Sequence, residues 1–411
     1  MAVGFLRELR DVWRRQHLNW RTVVTMQVFN RFFNQMTTQY SNIYIRALGA
    51  SPVELGAVNS ASGLGSTLIS LPLGYLQDRY SVRKLYLAGV AFLTLVPLFY
   101  ALAYRWEFIA VAILVSGLCM SLGSCVVICD ISLPNEDRAT GKAMCEGIGA
   151  LPGLLAPTVA AIIVTWFGGL NAEGIRPLYW IQFTAKILLF LFVFMRLREI
   201  VRPKRETGKS DPIGDFREVF QRGTATKRWL LFLSLNMLSS GIMTPYRYPY
   251  ANEIKGANQF IIGGIATAMI LAEAVFSTPL GRMADKIGRK KLFYMITPVY
   301  CLANILFILS PSPVWLLLGG LLMGFRMLSA FAYGSMTPEL VPSDCIGRWR
   351  GLIGLFTGIL SIPAPIVGGL VWEYMGPEWV FILPVFIDLF LRIPILYTVP
   401  ETLNRDKQVK K

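Results

Sequence analysis

Four stretches of this chain each run for more than twenty residues without a charge: Leu55–Gln77, Phe108–Cys129, Gly147–Ala172 and Leu352–Trp372. A helix needs about 20 such residues to cross the hydrocarbon core of a bilayer. Membrane-barrel strands would be about 10 residues long with strict alternation, and these blocks show neither property. A fifth block, Leu292–Phe325, holds 34 uncharged residues, too many for one crossing. It divides at Ser310-Pro311-Ser312-Pro313, where two prolines end a helix and form a turn. Continued along the chain, the pattern predicts twelve spans near 20–46, 52–77, 84–104, 106–131, 140–167, 177–198, 228–252, 258–283, 290–310, 313–340, 349–374 and 378–398. Charged residues make up 16% of the chain and apolar residues 54%, whereas a soluble domain carries about 25% charged residues. Such a composition excludes a disordered chain, a secreted disulfide scaffold and an ordinary cytosolic enzyme.

The net charge of +15 raises the question of an acidic partner. Sorted by loop, 31 of the 40 Lys and Arg residues fall in 1–21, 77–85, 135–142, 196–228, 282–291, 343–350 and 399–411, all on one side of the predicted membrane. The opposite side holds Arg46, Arg105, Arg176, Arg247 and Lys255. The positive-inside rule then puts both termini in the cytoplasm, as an even number of spans requires. Topology and anionic lipid headgroups account for the basic charge, and no nucleic acid partner is expected. The N-terminus sets Phe5, Leu9, Val12 and Trp13 opposite Arg7, Arg10, Arg14 and Arg15, as in a helix lying on the membrane surface; targeting or partner binding is the alternative. The expected location is the plasma membrane, as a multi-pass monomer.

Six cysteines and one histidine, His17, form no metal-ligating pattern, and buried Cys is commonly a small apolar packer. No phosphate-binding Gly-rich loop or nucleophile–His arrangement is visible. No cofactor, no metal and no enzyme activity are therefore expected.

The chain repeats itself. Gly74-Tyr-Leu-Gln-Asp78-Arg79-Tyr-Ser81-Val-Arg83-Lys84 follows the second predicted span, and Gly281-Arg-Met-Ala-Asp285-Lys286-Ile-Gly288-Arg289-Lys290 follows the eighth. Asp285 lies 207 positions after Asp78. Asp130 and Pro134, followed by Arg138, are echoed by Glu339 and Pro342, followed by Arg348, with the prolines 208 positions apart. The two offsets point to a parallel internal repeat, a construction common in transporters. The predicted organisation is a six-span half (1–195), a cytoplasmic linker (196–228) rich in charge, and a second six-span half with a short tail (229–411).

On these motifs the chain resembles the Major Facilitator Superfamily over essentially its whole length. The family pattern Gly-x-x-x-Asp-(Arg/Lys)-x-Gly-(Arg/Lys)-(Arg/Lys) is met at every fixed position from Gly281 to Lys290, while the first copy departs at Ser81 and Val82. The resemblance implies an all-α membrane fold with twelve helices in two pseudo-symmetric six-helix bundles. It also implies a cavity lined by spans 1, 4, 7 and 10, and a latch at the two loop motifs that holds the cytoplasmic side closed. Pro400-Glu401-Thr402 is similar to a Pro-Glu-Thr of the sugar porters, too short a match to assign that branch. The family's Arg in span 4 is absent here, where Cys119 stands at the place corresponding to Arg326.

The latch has an independent rationale. A carboxylate at a helix C-terminus is unfavourable beside the negative end of the dipole, so Asp78 and Asp285 need cations or amide donors from a neighbouring helix. For Arg83, Lys84 and Lys290, topology alone is a sufficient reason.

Within the membrane, Gln27, Asn30, Arg31, Asn34 and Thr38 share one face of span 1. Such a face should meet a water-filled cavity or a buried polar network rather than lipid. Asn236 and Ser240 in span 7 and Arg326 in span 10 complete the candidate substrate cavity; for Arg326 a structural ion pair competes with binding of a substrate anion. Glu273 in span 8 and Glu146 in span 5 are the candidate proton carriers, since burial raises a carboxyl pKa; Glu146 can instead pair with Lys142. Asp388 and Arg392 are four residues apart in span 12 and should pair, and Lys186 stands alone in span 6. The reading is a secondary transporter of a small organic solute, polar or anionic, coupled to protons or another ion. An exporter of amphipathic compounds and a non-transporting sensor are the alternatives.

Overall fold

The computed structural model describes residues 15–120, 122, 128–129, 132–133, 150–199, 218–342 and 345–403. The surface helix expected before Arg15, most of the linker, Asp130, Arg138 and Glu146 lie outside the described residues; of Gly74, Asp78 and Arg79 only the backbone is described. The helices follow the predicted spans closely. Spans 1 to 6 are Leu18–Ala47, Pro52–Arg79, Val82–Leu102, Trp106–Met120, Ala150–Trp166 and Ala172–Arg196, the fourth and fifth being bounded by undescribed residues. Spans 7 to 12 begin at Thr226, Gln259, Arg289, Trp315, Ile346 and Trp379 and end at Ile254, Ile287, Leu309, Glu339, Tyr374 and Thr398. The double proline after Leu309 separates spans 9 and 10 as expected. Seven of the described helices are long and apolar enough to cross a bilayer on composition alone. Span 1 is not among them because of its polar face, yet its 30 residues reach about 45 Å at 1.5 Å each.

Prolines shape the spans of the second half. Span 7 is α-helical over Thr226–Met243, tightens to a 3-10 turn at Thr244–Tyr246, returns to α at Arg247–Pro249 and widens to a π turn at Tyr250–Ile254. Pro245 and Pro249 remove the amides that a regular helix would use there. Span 11 breaks between Ser361 and Pro363, and span 12 carries a π turn at Ile387–Arg392.

Both bends and packing divide the molecule by depth. Spans 1 and 7 run parallel, so one face of the membrane, here the terminal side, receives the start of span 1 and the end of span 12; the other is the far side. On the far side a single apolar core joins both halves, from Tyr40, Tyr44 and Tyr179 to Tyr246, Tyr250, Trp372 and Phe381. On the terminal side the described residues form two separate cores. Val23, Met26, Tyr86 and Val193 pack within the first half, and Trp229, Phe232, Phe293 and Trp349 within the second.

The described end of the linker docks on the second half. Val219 is fully buried beside Val341, Thr224 N donates to Leu340 O, and Glu218 accepts from Arg222 and Arg348. Those two guanidiniums, Arg222 foremost, hold the Glu218 carboxyl below the usual range.

The departure at Ser81 has a local explanation. Ser81 is extended, with φ −64°, and its hydroxyl accepts from Lys84 N, capping span 3. Its counterpart Gly288 sits at φ +112° and has no side chain to offer. The amides at the start of span 9 are capped instead by Glu401 from the tail, which accepts from Arg289 N at 3.3 Å and Lys290 N at 3.0 Å. A carboxylate is favoured there by the helix dipole as well. Glu401→Ala should therefore lower stability by about 1 kcal/mol, the usual loss of a helix cap. Ser81→Ala should do the same for the first half, both read as shifts in unfolding of the detergent-purified chain.

Candidate substrate cavity

In the second half the structure brings three expected cavity residues into one cluster. Arg326 of span 10 donates through Nη2 to Asn236 Oδ1 at 3.0 Å and Ser240 Oγ at 3.1 Å on span 7. Through Nη1 it pairs with Asp388 Oδ2 of span 12 at 2.7 Å. The other carboxylate oxygen of Asp388 accepts from Arg392 at 2.8 Å, the i, i+4 pair expected from the sequence. Each guanidinium also lies over a ring, Arg326 over Tyr300 at 4.2 Å and Arg392 over Phe232 at 4.7 Å. Asp388 is 1% exposed and the Arg326 side chain 16%, so the acid is sealed while the Arg326 side chain is partly exposed. Two cations share one carboxylate, and the cluster carries a net charge of +1 inside the membrane. Tyr300 and the Asp388–Arg326 link were not legible in the sequence, because they join spans far apart in the chain.

In the first half two amide pairs join the described spans. Gln182 Nε2 of span 6 donates to Asn34 Oδ1 at 2.8 Å, and Asn59 Nδ2 of span 2 donates to Asn42 Oδ1 at 3.1 Å. Gln27, Asn30 and Arg31 are half-buried on the same side of span 1 as Asn34. Glu273 is half-buried in span 8 and forms no ion pair among the described residues. It shares a helix face with buried Ile262 and Ala266. That face lies between the stripe at Gly263 and Thr267, which touches span 5, and the stripe at Ile265 and Ala272, which touches span 10.

The far side is held shut by a clamp that sequence reasoning missed. Arg46, at the end of span 1, makes a two-pronged pair with Glu253, at the end of span 7, both contacts being 2.8 Å. The two residues are 207 positions apart, the repeat offset itself, so the pair joins equivalent points of the two halves. The Tyr246 hydroxyl contacts the carbonyls of Pro52 in one half and Pro365 in the other, and Tyr40 donates to Gln259 O. Backbones touch closely here: a side chain at Gly369 would lie 2.6 Å from Pro52 O. On the terminal side the described contacts tie each half to itself. Arg289 pairs with Glu339, Lys290 Nζ donates to the carbonyls of Tyr397 and Val399, and Asn19 bonds to Arg198. Asp285 and Lys286 are exposed and form no ion pair among the described residues.

Hydrophobic helices closed on one face around a charged, polar midsection define a membrane carrier. Residues 23–256 and 229–411 each match the Major Facilitator Superfamily model, and the chain belongs to that family. It is 23% identical over 398 residues to a multidrug resistance protein MdtG of Enterobacter lignolyticus (strain SCF1), covering 91% of both chains. It is 25% identical over 406 residues to the protein of that name from Salmonella schwarzengrund (strain CVM19633), covering 91% of this chain and 94% of the relative. Among solved structures, the nucleoside transporter NupG superposes with a TM-score of 0.73 at 16% identity, covering 93% and 99% of the two chains. A POT family transporter in complex with a thioalcohol conjugated peptide superposes with a TM-score of 0.70 at 13% identity, covering 95% and 96%. The chain is a multi-pass membrane protein and a secondary transporter with the twelve-helix fold of this family.

Two outcomes test the geometry. Asp388→Ala should destabilise the chain by roughly 3–5 kcal/mol, because it strands two buried guanidiniums, and the loss is readable by denaturant unfolding in detergent. Glu253→Arg should lengthen the distance between spin labels on the far ends of spans 1 and 7, and adding Arg46→Glu should restore it.

Proposed function

We propose that this protein moves a small polar or anionic solute across the plasma membrane, coupled to protons, with both termini in the cytoplasm. The observation that carries the solute class is the net positive cluster of Arg326, Asp388 and Arg392, whose most open member is Arg326. An anion meeting Arg326 balances that charge, where a cation would add to the repulsion. The amide-rich face of Gln27, Asn30, Arg31 and Asn34 supplies further donors from the opposite half.

In this reading the two halves, 1–195 and 229–411, rock about the central site as the linker 196–228 accommodates the motion. With the far side clamped, the solute exchanges with the cytoplasm. The opposite state requires the Arg46–Glu253 pair to part, which costs on the order of 1 kcal/mol for a partly exposed pair. Asp78 and Asp285, with Arg79, Arg83, Lys286 and Lys290 beside them, then latch the cytoplasmic side. The exposure of Asp285 while the far side is closed supports that sequence of contacts. Glu273 is the proton carrier: a half-buried carboxyl within span 8 that forms no ion pair among the described residues. Glu146 is the second candidate. The chain acts as a monomer, since each half supplies its part of one site.

Export of amphipathic compounds is the second reading, favoured by the multidrug resistance proteins among the relatives. Proteoliposome transport separates the two. A panel of organic anions and lipophilic cations should show movement of the anions, at least tenfold faster under a pH gradient, and Glu273→Gln should abolish the gradient effect. Equal rates with and without the gradient would remove the proton role, and transport of the lipophilic cations would favour the exporter.

A further inference from the structure

Spans 6 and 12 occupy matching places in the two halves. Each follows a turn containing a positive-φ glycine, Gly169 or Gly376, and each packs against the first and third spans of its half. Each also carries a polar residue and a basic residue four apart: Gln182 and Lys186 on span 6, Asp388 and Arg392 on span 12. In the second half the polar residue is an acid, and it neutralises Arg392 across one helical turn. In the first half it is an amide, spent on Asn34, and it offers Lys186 no counter-charge. Among the described residues Lys186 makes no hydrogen bond or ion pair.

This lysine does not face lipid. Ile175, Leu178, Tyr179, Gln182 and Val193 form the buried stripe of span 6, and helical periodicity puts Lys186, itself half-buried, on that side of the helix. The opposite side of the helix exposes Ile181, Leu188, Leu191 and Met195. Nor does it reach the headgroups: the helix end at Arg196 lies about 15 Å further along the axis, beyond the length of a lysine side chain. It stands one turn nearer the terminal side than the Gln182–Asn34 contact, level with Gln27 and Asn30 of the antiparallel span 1. A cation held among apolar helices without a partner is expensive, and such groups face their ligands.

We infer that Lys186 is an anion-binding residue of the first half. With the amides of Gln182 and Asn34 it takes a carboxylate or phosphoryl oxygen, the part that Arg326 plays in the second half. The inference rests on the anionic-solute reading above and adds a site to it. The test uses the full chain in detergent, titrated with acetate and, separately, inorganic phosphate at constant ionic strength, with the saturating shift in unfolding temperature giving a dissociation constant. The two arms distinguish carboxylate from phosphoryl recognition. Lys186→Met should weaken binding at least tenfold, and Lys186→Arg should stay within about threefold of the parent. Gln182→Glu installs the missing acid and should abolish binding while keeping or raising the unliganded unfolding temperature, which a purely structural lysine would not predict. Parent-like affinity in both Lys186→Met and Gln182→Glu overturns the inference. If Arg326→Met alone then loses binding, the anionic-solute reading survives without Lys186. If the parent binds neither anion, both fall.

Discussion

A bilayer interior offers no water to a side-chain charge, so a charge placed there needs a partner in the protein, a water-filled cavity or a ligand. The Asp388 carboxylate meets that demand for two guanidiniums at once, and by doing so it ties spans 10 and 12 together. Arg326 extends the tie to span 7 through Asn236 and Ser240, and stacks on Tyr300 of span 9. Four helices of the second half thus converge on one acid. Among the described residues of the first half, neutral amides tie spans together, Gln182 on Asn34 and Asn59 on Asn42. The asymmetry between two halves of one repeat is where function can differ from fold.

The depth profile of the packing bears on how the molecule moves. Among the described residues one apolar core spans both halves on the far side, while each half has its own core on the terminal side. Separating the halves on the far side means parting one two-pronged ion pair, a few hydrogen bonds and a shared aromatic layer, with the terminal-side cores left whole. Rigid halves moving about a soft interface are what alternating access needs. The caps of spans 3 and 9 serve the same rigidity by different chemistry. A serine caps its own helix where φ is negative; where glycine takes a positive φ, the tail supplies Glu401.

Most of the fold was legible because it follows from local quantities. Span length, the double proline after Leu309 and the side preference of Lys and Arg each depend on a short window of sequence and on the thickness of a bilayer. The pairing of Asp388 with Arg392 was legible for the same reason, being one helical turn long. The irregular end of span 7 was not, since prolines in membrane helices can either bend or be absorbed, and neighbouring helices decide which.

By itself, then, the sequence determined the number of crossings, their shared sidedness, the internal repeat and the list of polar groups that had to lie inside the membrane. Only the tertiary structure decided which of those groups meet. It joined Arg326 to Asp388 and Arg46 to Glu253, and it left Lys186 half-buried within the bundle with no ion pair among the described residues. The reason is physical. The hydrophobic requirement acts on each helix separately and can be read one segment at a time, whereas an ion pair depends on the rotation and depth of two helices that packing alone sets.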